Sequence, residues 1–114
     1  MTTGNAADFG DLTGARSECS SASNNTRGLF IAGGSNVVDY VTIATLGNAI
    51  DFGDAVISNQ TAAAASGSPT RAVSAGGGSS PGYNAIEFFE YSSLGDSVDF
   101  GNLVSGTHGA GNCS

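Results

Sequence analysis

Short apolar runs alternate with glycine- and serine-rich turns along the whole chain. In Val37-Val38-Asp39-Tyr40-Val41-Thr42-Ile43, period-two spacing puts Val37, Val41 and Ile43 on one face, interrupted by Asp39. Val38 and Tyr40 take the other face. Apolar residues on both faces suit a sheet packed between neighbouring sheets. Leu29-Phe30-Ile31 is a second run of this kind, and Ile50 with Phe52, like Val98 with Phe100, projects to a single face. Glycines between the runs permit tight turns and close backbone approach. The pattern predicts short antiparallel strands.

The same pattern is copied. Gly4-Asn5-Ala6-Ala7-Asp8-Phe9-Gly10-Asp11 returns as Gly47-Asn48-Ala49-Ile50-Asp51-Phe52-Gly53-Asp54. It returns again as Gly95-Asp96-Ser97-Val98-Asp99-Phe100-Gly101-Asn102, at offsets of 43 and 48 residues. Thr26-Arg27-Gly28-Leu29 and Thr70-Arg71-Ala72-Val73 recur in phase, as do Asn36 to Val41 and Asn84 to Phe89. Two units, 26–69 and 70–114, follow a half unit at 1–25, and 1–114 forms one repeat domain. Each unit runs from a Thr-Arg strand through an acidic-aromatic strand and a DFG strand to a polar loop. Copied units of this size bury their apolar faces against one another. The expected fold is all-β: β-propeller-like repeats of about 45 residues with four short antiparallel strands each. About two and a half units leave open edges, which oligomerisation completes.

Composition narrows the class. Eighteen glycines and 11% charged residues disfavour helix, because glycine costs about 1 kcal/mol against alanine in a helix interior. Thr61-Ala62-Ala63-Ala64-Ala65 has a helix-like composition but is too short to stand alone, and its repeat position predicts strand or loop. Lysine is absent and the net charge is −7, which argues against nucleic acid and against anionic membrane surfaces. No apolar run approaches the roughly 20 residues of a membrane helix, so no membrane insertion is expected. Met1-Thr2-Thr3-Gly4 lacks the regions of a secretion signal, so either export takes another route or the chain is a processed or truncated product.

The combination carried by Thr26 to Gly34, Asn36 to Ala44 and Gly47 to Asp54 is similar to the kelch-like repeat of bacteriophage structural and tail-fibre-like proteins, including those of phages of cyanobacteria. It recurs more weakly at Thr70 to Gly77, Asn84 to Tyr91 and Gly95 to Leu103. The resemblance implies a propeller-like fold and a place in a virion or in surface attachment. It implies no catalytic residues. The chain departs from it in having so few units and in beginning partway through one.

Candidate chemistry is sparse. The DFG triplets share letters with the magnesium-binding loop of kinases, but a chain without lysine cannot supply that site. Phe is expected in the core between units, Gly at a close approach and Asp in a turn, with Phe9, Phe52 and Phe100 equivalently buried. Arg16, Arg27 and Arg71 are expected to pair with repeat carboxylates such as Asp8, Asp51 or Asp99; binding of an acidic sugar or phosphate is the alternative. Arg27 and Arg71 should be mostly buried and bonded to an acid or to backbone carbonyls, rather than projecting into a shared ligand cleft.

His108 lies in a glycine-rich loop without hydrolase spacing. Asp51, Asp54, Asp96 and Asp99, with Asn48 and Asn102, offer oxygen ligands to calcium but lack EF-hand spacing and read better as turn residues. Cys19 and Cys113 hold similar places in different units, and they read as two small buried thiols or as one disulfide. Asn24-Asn25-Thr26, Asn59-Gln60-Thr61 and Asn112-Cys113-Ser114 match the glycosylation triplet.

No acid, base and nucleophile assemble into a catalytic constellation, and no catalytic, cofactor or metal site is assigned. The expected function is therefore that of a non-enzymatic, self-assembling structural subunit of a phage particle or extracellular fibre. Its partner is itself, as a homo-oligomer or filament, in a virion or extracellular setting. The alternative is a small carbohydrate-binding or host-attachment module, with Tyr40, Phe88, Phe89 or Tyr91 stacking on surface glycans.

Overall fold

The computed structural model describes residues 4–56, 63–78 and 82–107. Its eight strands are β1 (Cys19–Ser23), β2 (Arg27–Ala32), β3 (Val37–Thr42), β4 (Ile50–Asp54), β5 (Ala64–Gly67), β6 (Arg71–Ala75), β7 (Tyr83–Glu90) and β8 (Val98–Thr107). They form two four-stranded antiparallel meanders, β1-β2-β3-β4 and β5-β6-β7-β8. The described residues contain no helix, and so none long and apolar enough to cross a membrane. The all-β expectation and the count of four strands are met. Neither sheet pairs its first strand with its last.

The grouping of strands differs from the sequence reading in one respect. Cys19–Ser23, read as loop, and Ala64–Gly67, with its first residues read as strand or loop, are the first strands of the two sheets. They carry few large side chains because they lie where the sheets meet, β1 against β5. A Cβ on Gly67 would lie 2.5 Å from the Tyr91 hydroxyl and 2.9 Å from the Ser23 carbonyl oxygen. The Ser20 hydroxyl donates across the contact to the Ala63 carbonyl. Hydropathy does not register such a strand, since close approach demands small residues rather than apolar ones.

Each β1–β2 or β5–β6 turn is held locally. Asn24 Oδ1 accepts from the amides of Thr26 and Arg27 at 2.9 and 2.8 Å, while its Nδ2 donates to the Pro69 carbonyl of the other sheet at 3.0 Å. This is the first residue of one glycosylation triplet. The other two triplets lie outside the described residues, as do His108 and Cys113. Ser68 holds the equivalent turn, accepting from the Arg71 amide at 3.1 Å.

The core gathers Leu29, Ile31, Val38, Phe52, Phe89 and Tyr91 with small alanines from both sheets. Burial raises the Tyr91 phenol above its ordinary 10.0. Phe52 is central. Its ring meets Tyr40 of β3 edge-on at 5.9 Å and Phe89 of β7 at 6.1 Å, so it ties one sheet to the next. Equivalent burial of the three repeat phenylalanines does not hold: Phe9 is 37% exposed and Phe100 is 62% exposed, against 3% for Phe52. Of the three, only Phe52 lies between two four-stranded sheets. Phe9 has Val41 where Phe52 has Phe89, and it lines an apolar cleft of about 300 Å³ with Phe30, Val41 and Ile43.

Candidate functional site

Two seams join the repeat units, and they use the same bonds. In the first, the amides of Gly47 and Ala49 donate to the carbonyls of Phe9 and Asp11 at 2.9 and 2.8 Å. The Asp11 amide donates to Asn48 Oδ1 at 3.0 Å, and the Thr13 amide to Asp39 Oδ2 at 2.9 Å. In the second, the amides of Gly95 and Ser97 donate to Phe52 and Asp54 at 2.8 and 2.9 Å. The Asp54 amide donates to Asp96 Oδ1 at 3.0 Å, and the Val56 amide to Glu87 Oε2 at 2.8 Å. These four bonds of one seam are each matched by their repeat equivalents in the other.

A β-bulge shapes each seam. In β4, Val38 pairs with Gly53 and Asp39 with Asp51, leaving Phe52 as the extra residue. In β8, Ile86 pairs with Gly101 and Glu87 with Asp99, leaving Phe100 extra. Bulges re-aim side chains. Here the re-aimed residue is the phenylalanine of the DFG triplet, and the following glycine receives the next unit. A Cβ on Gly10 or Gly53 would sit 2.1 Å from the carbonyl oxygen of Gly47 or Gly95. Their φ angles, 151° and 152°, also disfavour any side chain. Gly101 shares the conformation at 158°, yet an added Cβ there meets nothing within 4 Å. Gly53→Ala should therefore destabilise the chain far more than Gly101→Ala. Urea denaturation of the two variants at concentrations where the chain is monomeric checks this, and equal losses would show that backbone strain alone is at work.

The acid at each bulge is buried, Asp39 completely and Glu87 to 1% exposure. Asp39 collects three donors. Besides the Thr13 amide, the Thr13 hydroxyl donates at 2.8 Å, and Arg16 Nη2 lies at 3.0 Å with its side chain only 4% exposed. Arg16 Nη1 also donates to the Val37 carbonyl at 2.6 Å. Glu87 receives the Ser97 hydroxyl at 2.7 Å in addition to the Val56 amide. Both of these donors meet Oε2, and Glu87 Oε1 is buried without a partner among the described residues, so of the two acids only Asp39 is bonded at both oxygens.

The arginines bond acids and backbone carbonyls, as expected, but not the acids named for them. Arg16 is paired and buried, but with Asp39 rather than Asp8, Asp51 or Asp99. Arg27 is half-buried; it donates to the Tyr91 carbonyl and covers the Tyr40 ring at 4.8 Å. Arg71 is exposed, contrary to expectation. It bonds Glu90 on the facing strand at 2.8 Å and covers Phe88 at 4.5 Å. Phe88 in turn meets Phe100 edge-on at 6.3 Å, matching the Tyr40–Phe52 pair. Thus a row of arginine, ring and DFG phenylalanine is built twice. The rings expected to stack on sugars are occupied internally: Phe89 and Tyr91 are core, and Tyr40 and Phe88 lie beneath arginines. Cys19, read as a buried thiol, is exposed.

Among the described residues no three His, Cys, Asp or Glu side chains converge on a metal position. Asp8 Oδ1 accepts from the Gly10 amide, and Asn48 and Asp96 are spent on the seams. What the arrangement can do chemically is bind backbone in a fixed register. No protein-family model matches the chain, and no curated protein matches its sequence.

Proposed function

We propose that this chain is a non-enzymatic structural subunit that self-assembles through the ends of its repeat stack. The single supporting observation is that a seam built twice within the chain has a third copy of its elements facing solvent at β8. Phe100, whose equivalent Phe52 is core, is exposed there, and Val104, whose equivalents Thr13 and Val56 donate to buried acids, is fully exposed. Unsatisfied strand edges and exposed rings favour association. Blade-like sheets stacked in this manner suit a propeller-like ring or a filament, depending on whether the rotation between copies closes. The similarity of the repeats to bacteriophage structural proteins favours a phage particle or extracellular fibre as the setting.

The experiment is sedimentation of the intact chain at micromolar concentration. Multimers are expected, with loss of assembly on deleting residues 2–7, a segment that precedes β1 and the first seam. A stable monomer of the intact chain with a cooperative unfolding transition overturns the proposal. If such a monomer also bound glycans, it would favour the attachment module. The polar cleft between the two Thr-Arg turns, lined by Asn24, Arg27, Thr70 and Glu90, would then be the place to map binding.

A further inference from the structure

We propose that the exposed edge of β8 docks the Gly4-Asn5-Ala6 segment of a second copy, in the register of the two internal seams. This rests on the self-assembly reading above and specifies its atoms. Gly4, Asn5 and Ala6 are the repeat equivalents of Gly47, Asn48 and Ala49 and of Gly95, Asp96 and Ser97. In both internal seams these three residues supply two amides and one side-chain oxygen. In the chain itself Gly4, Asn5 and Ala6 are exposed and make no such bonds with other described residues.

Among the described residues, the receiving edge is equally vacant. The Phe100 carbonyl, the Asn102 amide and the Asn102 carbonyl stand where Phe52 and Asp54, or Phe9 and Asp11, receive their seams. Gly101 leaves open the space that the carbonyl of Gly47 or Gly95 fills beside Gly10 or Gly53. In the docked pair, the Gly4 amide donates to the Phe100 carbonyl and the Ala6 amide to the Asn102 carbonyl. The Asn102 amide donates to Asn5 Oδ1, and the Gly4 carbonyl lies over Gly101.

Charge selects a second copy as the occupant. At this position the internal seams pair Asp11 with Asn48 and Asp54 with Asp96. The third pairing, Asn102 with Asn5, is the one without a carboxylate. Within a chain, covalent linkage holds acidic partners together. Between chains of net charge −7, a like-charge contact at the seam would oppose association. The neutral asparagine pair removes that opposition at the point of closest approach, and rising salt should strengthen association by screening the remainder.

The test is a disulfide placed across the new seam. Asn5→Cys with Asn102→Cys, in a Cys19→Ser, Cys113→Ser background, should give a ladder of covalent dimers, trimers and longer species on mild oxidation at micromolar concentration. Asp11→Cys with Asn48→Cys in the same background places the pair across the first internal seam and should close within one chain. Closure of that control without the intermolecular ladder, while the parent chain still sediments as multimers, overturns the register but leaves self-assembly standing. A bond between positions 5 and 102 of the same chain also overturns it. A monomeric parent removes both readings. A second variant needs no disulfide. Ala6→Pro deletes the amide that would donate to Asn102, on an exposed residue outside both sheets. It should weaken association about tenfold, the loss of roughly one hydrogen bond, with unchanged unfolding of the monomer. Unchanged association of this variant overturns the proposal.

Discussion

Truncating Phe52 to alanine should cost about 3–5 kcal/mol, the range for emptying a well-packed aromatic site. Phe9→Ala and Phe100→Ala should cost only about 1 kcal/mol each, because much of their surface is already in water and little is returned to it. The three residues occupy equivalent positions in the repeat, so the contrast measures what a neighbouring unit contributes. Phe52 loses two edge-on ring contacts, to Tyr40 and to Phe89, and the second of these crosses between sheets. Phe100 loses only its contact to Phe88. Urea denaturation followed by circular dichroism, under monomeric conditions, reads all three. Equal costs would show that the inter-sheet contact of Phe52 contributes nothing.

Removing Asp39 should be comparably severe. Asp39→Ala strands the Arg16 guanidinium in a buried site and leaves the Thr13 amide and hydroxyl without their acceptor. Breaking one side of a buried ion pair typically costs about 3–5 kcal/mol, chiefly because the survivor keeps an uncompensated charge. The Arg71–Glu90 pair is shorter, at 2.8 Å, but its side chains are 50% and 38% exposed. Solvent screens it, and Glu90→Ala should cost less than about 1 kcal/mol. The double replacement Asp39→Leu, Arg16→Met should recover much of the loss from Asp39→Ala, since an apolar pair demands no compensation. If the double variant were no more stable than the single one, the penalty would lie in the Thr13 bonds and not in the stranded guanidinium.

Much of this architecture was legible in the residues because repetition exposes it. The three segments that run from glycine to Asp-Phe-Gly marked the seams, and their phase fixed which residues would be equivalent. The run around Val37 to Ile43 even showed an acid breaking an apolar face, at the position that became the buried seam acid. What stayed hidden was the partner. Nothing near Asp39 in sequence marks Thr13 or Arg16, which reach it from the preceding unit. The innermost strands were hidden for a different reason: Cys19–Ser23 and Ala64–Gly67 are selected for small size, and a scale of hydrophobicity is blind to that. For the arginines the kinds of partner, an acid or backbone carbonyls, were legible, but the particular acids, Asp39 and Glu90, and the exposure of Arg71 were not. Backbone carbonyls and aromatic faces satisfy a guanidinium as well, and Arg27 uses both. The phenylalanines were over-assigned to the core because equivalence in sequence was equated with equivalence of surroundings. Units at the ends of a stack have neighbours on one side only.

The seams also govern how the chain comes apart. Each consists of backbone bonds donated by one unit and accepted by another, so neither sheet possesses a full set of partners by itself. In a linear array of repeats, stability divides into what each unit holds alone and what adjacent units share. Here the bulge phenylalanine, its buried acid and the glycine contact all belong to the shared part. The two sheets are therefore strongly coupled, and an end unit cannot fray without opening a seam first. Such an array resists loss from its ends.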